Sequence, residues 1–494
     1  MKSKDKILDI IALENKKNVP DNSSFKYSFI DESELDQPEE QQKDVYLSYS
    51  EQAAIITHYF NLRREKSNGP SVKENPFVKA YRDKAEELIS YWANELDDSH
   101  KGASGASEVA QGAQIQGELF VDTSNIPFKA PNNPHFSFID LFAGIGGFRM
   151  AFQNLGGECV FSSEWDEQAQ KTYYANYGDI PFGDITKPST KSFIPHNFDI
   201  LCAGFPCQAF SIAGRRGGFN DTRGTLFRDV CEILKTRKPK AFFLENVKGL
   251  TNHRGGQTIA TIFQALKDVG YVVYLPKTGK YTDMILNARD FGVPQNRERI
   301  YIVGFRADLV CIADGGTKAK GGIKLNEFSY PKPTDKTKVF CDVMEPNPVP
   351  AKYYLSNQYL DTLIAHRKRH EDKGHGFGYE IIDKDHDVAN AIVTGGMGRE
   401  RNLIYDDRQK DMTPTTNIKG AYNDQGIRRM TPREWGELQG YPTIFPDELG
   451  RLFKIPVADA SAYKQFGNSV AVPAIQATAE QLLKVLRAHK LISE

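Results

Sequence analysis

From residue 136 the chain alternates short apolar runs with amphipathic stretches, and this alternation predicts strands and helices in turn. FSFID, ECVFSSEW, FDILCAGF, AFFLENV and RERIYIVGF are short, rich in aromatic and aliphatic residues, and bounded by polar or turn residues, as strands are. Between the first four lie FRMAFQNL, EQAQKTYYANY and TLFRDVCEILKTRK, and QTIATIFQALKDVGY follows the fourth, all with apolar residues at helical spacing. Such alternation predicts an α/β fold with a doubly wound, mostly parallel sheet. After about residue 306 the rhythm breaks into polar sequence containing Gly, Pro and Lys. It resolves near 427 and ends in a helix through VPAIQATAEQLLKVLRAH.

The α/β layer is therefore split: a catalytic part at 135–306, an inserted smaller domain at 307–426, and a returning part at 427–494. Ahead of it, 1–130 reads as an acidic, mostly helical extension ending in a Gly/Ala/Ser-rich linker at 99–130. Ser50 is placed to cap a helix through EQAAIITHYFNLRRE, and Asn75-Pro76 supplies a cap and an N1 proline for FVKAYRDKAEELISYWANEL.

Charge sharpens this division. Residues 1–134 carry 16 Lys and Arg against 23 Asp and Glu, a net of −7, which leaves +6 on the remainder of a chain of 494 residues whose net is −1. A basic body is compatible with a polyanionic substrate, and the acidic front argues against direct DNA binding there. That front reads as a module for self-association or for contact with a partner nuclease. Six cysteines without a C-x-x-C pair exclude a zinc ribbon or a disulfide framework, and no metal is expected. With no signal-like start and no long apolar span, the expected place is the cytoplasm, without membrane contact.

Candidate chemistry gathers at the carboxyl ends of the predicted strands, where open α/β sheets bind ligands. The first strand ends in Asp140 and turns through Phe142, Gly144, Ile145, Gly146 and Gly147. These glycines let the backbone approach a ligand, but the pattern is not the G-x-G-x-x-G of a pyrophosphate cradle. Glu164, 24 positions past Asp140, is placed to grip ribose hydroxyls, Trp165 offers a flat face to an adenine, and Asp184 can reach an exocyclic amine. An adenosine-containing ligand without phosphates, such as S-adenosylmethionine, fits.

Cys207 follows FDILCAGF, in the stretch GFPCQAF. Alone, a free cysteine is more often a small buried hydrophobe than a nucleophile. AFFLENV delivers Glu245 at the same sheet edge, followed by Asn246, and Arg297 and Arg299 lie two apart in QNRER, on one strand face. A thiol, a carboxyl group and two guanidinium groups would converge beside a bound adenosine. Together they outweigh the bland readings of each alone.

In order along the chain, FIDLFAGIGGFR, GFPCQAFS, ENVKGL, QNRERIYIVGF, RRMTPREWGELQGYP and YKQFGNSVAVPA resemble DNA cytosine-5 methyltransferases of the bacterial restriction–modification and Dcm-like type. The resemblance covers roughly 136–306 and 427–488. It implies that Cys207 attacks carbon 6 of a flipped-out cytosine, Glu245 serves N3, and Arg299 holds O2 with Arg297 nearby. For S-adenosylmethionine, released as S-adenosylhomocysteine, it implies Phe142, Ile145, Glu164, Trp165, Asp184, Ile185, Pro206, Leu226, Asn468, Ser469 and Val470. It further implies that the loop SIAGRRGGFNDTRGTLF closes over the base, with Arg215, Arg216 and Arg223 near phosphates, and that the insertion chooses the DNA site. The expected partners are double-stranded DNA, bound by a monomer, and a cognate restriction endonuclease. Two rivals remain open at this point: a tRNA cytosine-5 methyltransferase using the same motifs, and a non-catalytic DNA-binding regulator, which would be expected to lose Cys207 or Glu245.

Overall fold

The computed structural model describes residues 26–28, 44–63, 75–100, 125–206, 226–311, 322–334, 338–374, 378–385, 387–394, 400–412 and 420–493. Cys207, the loop that follows it to residue 225 and most of the 99–130 linker therefore lie outside the described residues.

The central sheet runs in the order Gly157–Ser163, Phe136–Leu141, Ile200–Ala203, Ala241–Val247, Glu298–Arg306 and Tyr271–Val273, with Ile285–Asn287 paired to the start of Glu298–Arg306. The first four strands are mutually parallel, and Glu298–Arg306 is antiparallel to both its neighbours. The doubly wound, mostly parallel sheet expected from the alternation is present. Two short strands, Tyr271–Val273 and Ile285–Asn287, join it beyond those expected.

Each central strand is buried on both faces, and its side chains sort by parity. Phe138, Cys202, Phe243, Tyr301 and Val303 pack towards the helices Gly147–Asn154 and Val472–Ala488. Ile139, Leu201, Phe242, Leu244 and Ile302 pack the other way, with Leu226–Arg237 and Gln257–Asp268. The C-terminal helix buries Ile475, Ala479, Leu482 and Leu486, one stripe at helical spacing, which brings the end of the chain back onto the first domain.

The helices Tyr49–Arg63 and Val78–His100 share that second cluster: Ile55, Tyr59, Tyr81 and Leu88 lie in it with Val160 and Phe161 of the sheet. Asn75 begins the second helix as expected, its Oδ1 accepting the Phe77 N–H at 3.0 Å. The first helix is capped differently from the expectation. Ser48, not Ser50, is the cap: its Oγ accepts the Glu51 N–H, and Glu51 Oε2 accepts the Ser48 N–H at 2.9 Å, a reciprocal capping box.

Beyond residue 306 the chain first stays on the main core, through Val310, Ile323, Phe328 and Phe340. A separate small cluster, Leu355, Leu360, Leu363, Leu403 and Ile427, then forms around the helix Asn357–Glu371. Among the described residues no helix is long and apolar enough to cross a membrane.

Candidate active site

The turn after the first strand is built from left-handed backbone. Phe142, Gly144 and Gly146 have φ of +55°, +56° and +82°. A bulky residue at positive φ is uncommon and is held there only by its surroundings. The three glycines answer to different constraints. At Gly144 a Cβ would meet nothing within 4 Å, so the backbone there faces open space. At Gly146 a Cβ would fall 2.3 Å from the Tyr177 ring, and at Gly147 it would fall 2.5 Å from Val470. Ile145 is buried in the core, so the loop presents backbone rather than that side chain.

Glu164 closes the turn from the neighbouring strand. Its Oε2 accepts the Gly144 N–H at 2.7 Å and its Oε1 accepts the Asp166 N–H at 2.8 Å. Each oxygen keeps a lone pair for a further donor. Burial pushes its pKa up, with the same two N–H groups acting against it. Trp165 beside it is 80% exposed, the most exposed large hydrophobic side chain among the described residues. Ile185 is buried, while Asp184 is half-buried and turned into its own loop, Oδ1 accepting from the Thr186 N–H and hydroxyl. Asp140, buried under the turn, has its pKa driven well up by burial, opposed chiefly by Arg149.

The C-terminal motif docks against this turn. Val470 and Ser469 are buried against Gly147, Ser469 Oγ lies 2.6 Å from the Tyr441 hydroxyl, and Asn468 is exposed. Arg297 reaches the same segment. Its guanidinium, buried, donates to the carbonyls of Ile392, Gly467 and Ser469 at 2.9, 3.2 and 2.7 Å. Gln439 donates to Phe466 and Ser469 carbonyls, and Gln295 donates to the Leu438 carbonyl and accepts the Ile392 N–H. Arg297 thus spends its two terminal nitrogens on backbone, joining three stretches of chain.

Arg299 and Glu245 meet at the chemical end. Arg299 Nε lies 3.1 Å from Glu245 Oε1, both largely buried. Glu245 pairs directly with Tyr301 across the antiparallel strands, so Arg299, two residues earlier on the same face, is its diagonal neighbour. Burial pushes the Glu245 pKa up, while the Arg299 and Arg297 charges pull it down. Next to it Asn246 Nδ2 donates to the Phe205 carbonyl at 2.8 Å, fixing the turn that leads to exposed Pro206 and so to Cys207. Leu226 resumes the described chain, half-buried, at the start of its helix.

The structure thus brings together Glu245 and Arg299, and separately Phe142, Gly144, Glu164, Trp165 and the 468–470 segment. Sequence reasoning did not single out Tyr441, Gln295 and Gln439, and named Asn246 without a role. Only their long-range partners reveal what they do.

The sequence profile of the C-5 cytosine-specific DNA methylases matches residues 136–484. The chain belongs to this family. Such an enzyme methylates cytosine in DNA at carbon 5, which sets aside the non-catalytic regulator. The Type II methyltransferase M.HpaII of Haemophilus parainfluenzae is 63% identical over 364 residues, 73% of this chain and 93% of that protein. M.SsoII of Shigella sonnei is 41% identical over 76% of this chain and 87% of its own length, and M.HhaI of Haemophilus parahaemolyticus is 35% identical over 69% and 91%. The profile begins at the first strand of the methylase sheet, so the helices Tyr49–Arg63 and Val78–His100 lie outside it.

Proposed function

We propose that this methylase acts on a cytosine rotated out of duplex DNA, through a covalent bond from the Cys207 sulfur to carbon 6. The observation that carries the reading is the Glu245–Arg299 pair, a buried carboxyl with a raised pKa at 3.1 Å from a guanidinium, beside the turn that Asn246 ties down before Cys207. Unstacking the base costs roughly a few kcal/mol, and without it carbon 6 is out of reach.

A thiolate is the suitable nucleophile, since a free thiol near pKa 8.5 is already a few per cent ionised at about neutral pH. As sulfur bonds to carbon 6, Glu245 gives its proton to N3, so the electrons displaced from the ring are not left as an isolated charge. Arg299 aims that carboxyl and holds O2. Carbon 5, now electron-rich, takes the methyl group and then gives up its proton to a solvent water acting as base. Re-formation of the double bond expels Cys207 as thiolate, and the N3 proton returns to Glu245. Arg297 acts as a positioning residue, through the backbone it clamps.

S-adenosylmethionine supplies the methyl group when bound, and S-adenosylhomocysteine is its product. The open face at Gly144, the spare lone pairs of Glu164 and the exposed Trp165 ring fit its adenosine. Phe142, Ile145, Gly146, Gly147, Asp184, Ile185, Pro206, Leu226 and 468–470 complete the assignment. We assign 307–426 to recognition of the DNA site and 135–306 with 427–494 to catalysis. As M.HpaII is named a Type II methyltransferase, the modification is read as protecting host DNA from a cognate endonuclease, by a monomer in the cytoplasm.

Bisulfite sequencing of DNA from cells expressing the full chain tests this. A fixed short motif with 5-methylcytosine is expected, and none with Cys207→Ser. Equal methylation by the Cys207→Ser protein would overturn the covalent route.

A further inference from the structure

The helix Tyr49–Arg63 turns a polar stripe inwards where plain packing would use apolar residues, with Thr57 and His58 buried and Asn61 half-buried. Thr57, His58 and Asn61 lie on one face of it, at helical spacing. All three meet the short turn at residues 177–180. Thr57 Oγ1 accepts the Ile180 N–H at 3.0 Å, and His58 Nε2 lies 3.4 Å from Asp179 Oδ2. Asn61 Nδ2 donates to Asp179 Oδ1 at 2.9 Å and to the Tyr177 carbonyl at 3.2 Å.

From that turn the contacts run on to the glycine turn. Arg149 Nη1 lies 2.5 and 2.7 Å from the two Asp179 oxygens, fully buried. Its guanidinium sits over the rings of Tyr173 and Tyr177, at 5.2 and 4.7 Å from their centres. The Tyr177 hydroxyl donates to the Gly146 carbonyl at 2.8 Å, and its ring occupies the space a Gly146 side chain would need. Apart from His58 Nε2, which makes no hydrogen bond, the links are satisfied polar contacts or ring faces, mostly buried, and such networks rigidify what they hold.

We propose that the helix Tyr49–Arg63 is a working part of the cofactor site: Asn61, with His58 and Thr57, positions the 177–180 turn, and through Asp179, Arg149 and Tyr177 it sets the Gly144–Gly147 backbone. These are positioning residues, since none touches the ligand. The inference rests on the reading of that backbone as the S-adenosylmethionine site. It gives a methylase an element outside the family profile on which cofactor affinity depends. A module for self-association or nuclease contact would have no need of Asn61 facing inwards.

The test uses the full chain, with S-adenosylhomocysteine binding by calorimetry and methyl transfer to unmethylated duplex DNA. Asn61→Ala and Tyr177→Phe are each expected to weaken binding about tenfold, the size of one strong hydrogen bond. KM for S-adenosylmethionine rises while kcat at saturation stays near that of the parent. The double variant binds more tightly than the product of the two effects, because both act along one path. Arg63→Ala, exposed on the same helix, leaves binding unchanged. Thr57→Val, nearly isosteric, carries the same expectation as Asn61→Ala and keeps the test open if that variant fails to fold.

Parent-like binding by Asn61→Ala, or fully additive effects in the double variant, overturns the proposal. A purely architectural role would lower the active fraction and kcat at unchanged KM, and would overturn it too. A parent chain that methylates DNA without binding S-adenosylhomocysteine would instead remove the cofactor reading beneath it.

Discussion

Arg299 Nε lies 3.1 Å from Glu245 Oε1 although Arg299 begins its strand and Glu245 lies near the end of its own. Only an antiparallel neighbour brings a strand's start beside another's finish, and Glu298–Arg306 is antiparallel to Ala241–Val247. A parallel strand in that place would have carried the guanidinium to the far edge of the sheet. The one reversal thus builds the pair on which the chemistry depends.

Arg299→Gln should move the pH profile in a defined direction. Burial already raises the Glu245 pKa, and Arg299 is the largest influence holding it down. Without that charge the carboxyl keeps its proton to higher pH. As the protonated form serves N3, the alkaline limb of kcat/KM shifts to higher pH. The maximum rate falls, because the partner of O2 is gone. A limb that stayed in place or moved down would sink this role for Glu245.

Asn246→Ala should separate rate from binding. Its amide is the hydrogen-bond partner of the Phe205 carbonyl, directly ahead of Pro206 and Cys207. Loosening a nucleophile by about 1 Å costs on the order of a hundredfold in rate. Single-turnover methyl transfer should fall by roughly this factor, with S-adenosylhomocysteine affinity unchanged. Loss of affinity in proportion would point to general damage instead.

Much of this site was legible because strand ends are. AFFLENV alternates so that Phe243 and Glu245 share one face, and its apolar run marks where the carboxyl emerges. What the alternation could not tell was direction. Nothing local in RERIYIVGF distinguishes a parallel strand from the antiparallel one it forms. The polar clamps were hidden for a different reason: Asn246, Gln295 and Gln439 look like ordinary amides until Phe205, Ile392 and Phe466 are brought to them. The helix cap was a misreading of available signal, since Ser48 with Glu51 three residues on is the capping-box spacing that Ser50 lacks. A signal for the docked N-terminal helix was present too, in polar Thr57, His58 and Asn61 beside apolar Ala54, though not what they would face.

Gly144→Ala and Gly147→Ala should differ sharply. A methyl group at Gly147 would sit 2.5 Å from Val470 and 2.7 Å from the Tyr441 hydroxyl, so the C-terminal segment must shift. Gly147→Ala should cost about 1–3 kcal/mol of stability, as overpacking does, seen as a lower Tm. At Gly144 the methyl group has room and only the positive φ opposes it, at about 1 kcal/mol. Its marked effect should be on S-adenosylhomocysteine affinity, since the open face is the proposed ligand surface. Unchanged affinity in Gly144→Ala would count against that placement.

Arg428→Ala should damage stability rather than chemistry, and in a pH-dependent way. Arg428 is fully buried between two carboxylates: Nε donates to Asp406 Oδ2 at 2.8 Å, and the two terminal nitrogens reach Glu434 at 2.9 and 2.8 Å. This joins Leu403–Tyr405 and Ile427–Arg429, paired strands of the inserted region and the returning chain, to the helix Pro432–Leu438. Removing the cation leaves buried carboxylates short of a partner, which costs about 3–5 kcal/mol near neutral pH. Although burial works against it, Arg408 and Arg428 hold the Asp406 pKa down to about 2, so its contribution is full above the ordinary carboxyl range and is lost as pH falls towards about 2. The variant, keeping only Arg408 at Asp406, has less of this contribution to lose. The Tm difference between parent and variant should therefore hold from pH 7 down to about pH 5 and narrow only as pH falls below about 4, read by scanning calorimetry. A difference that stayed constant would mean that packing, not charge, holds this junction.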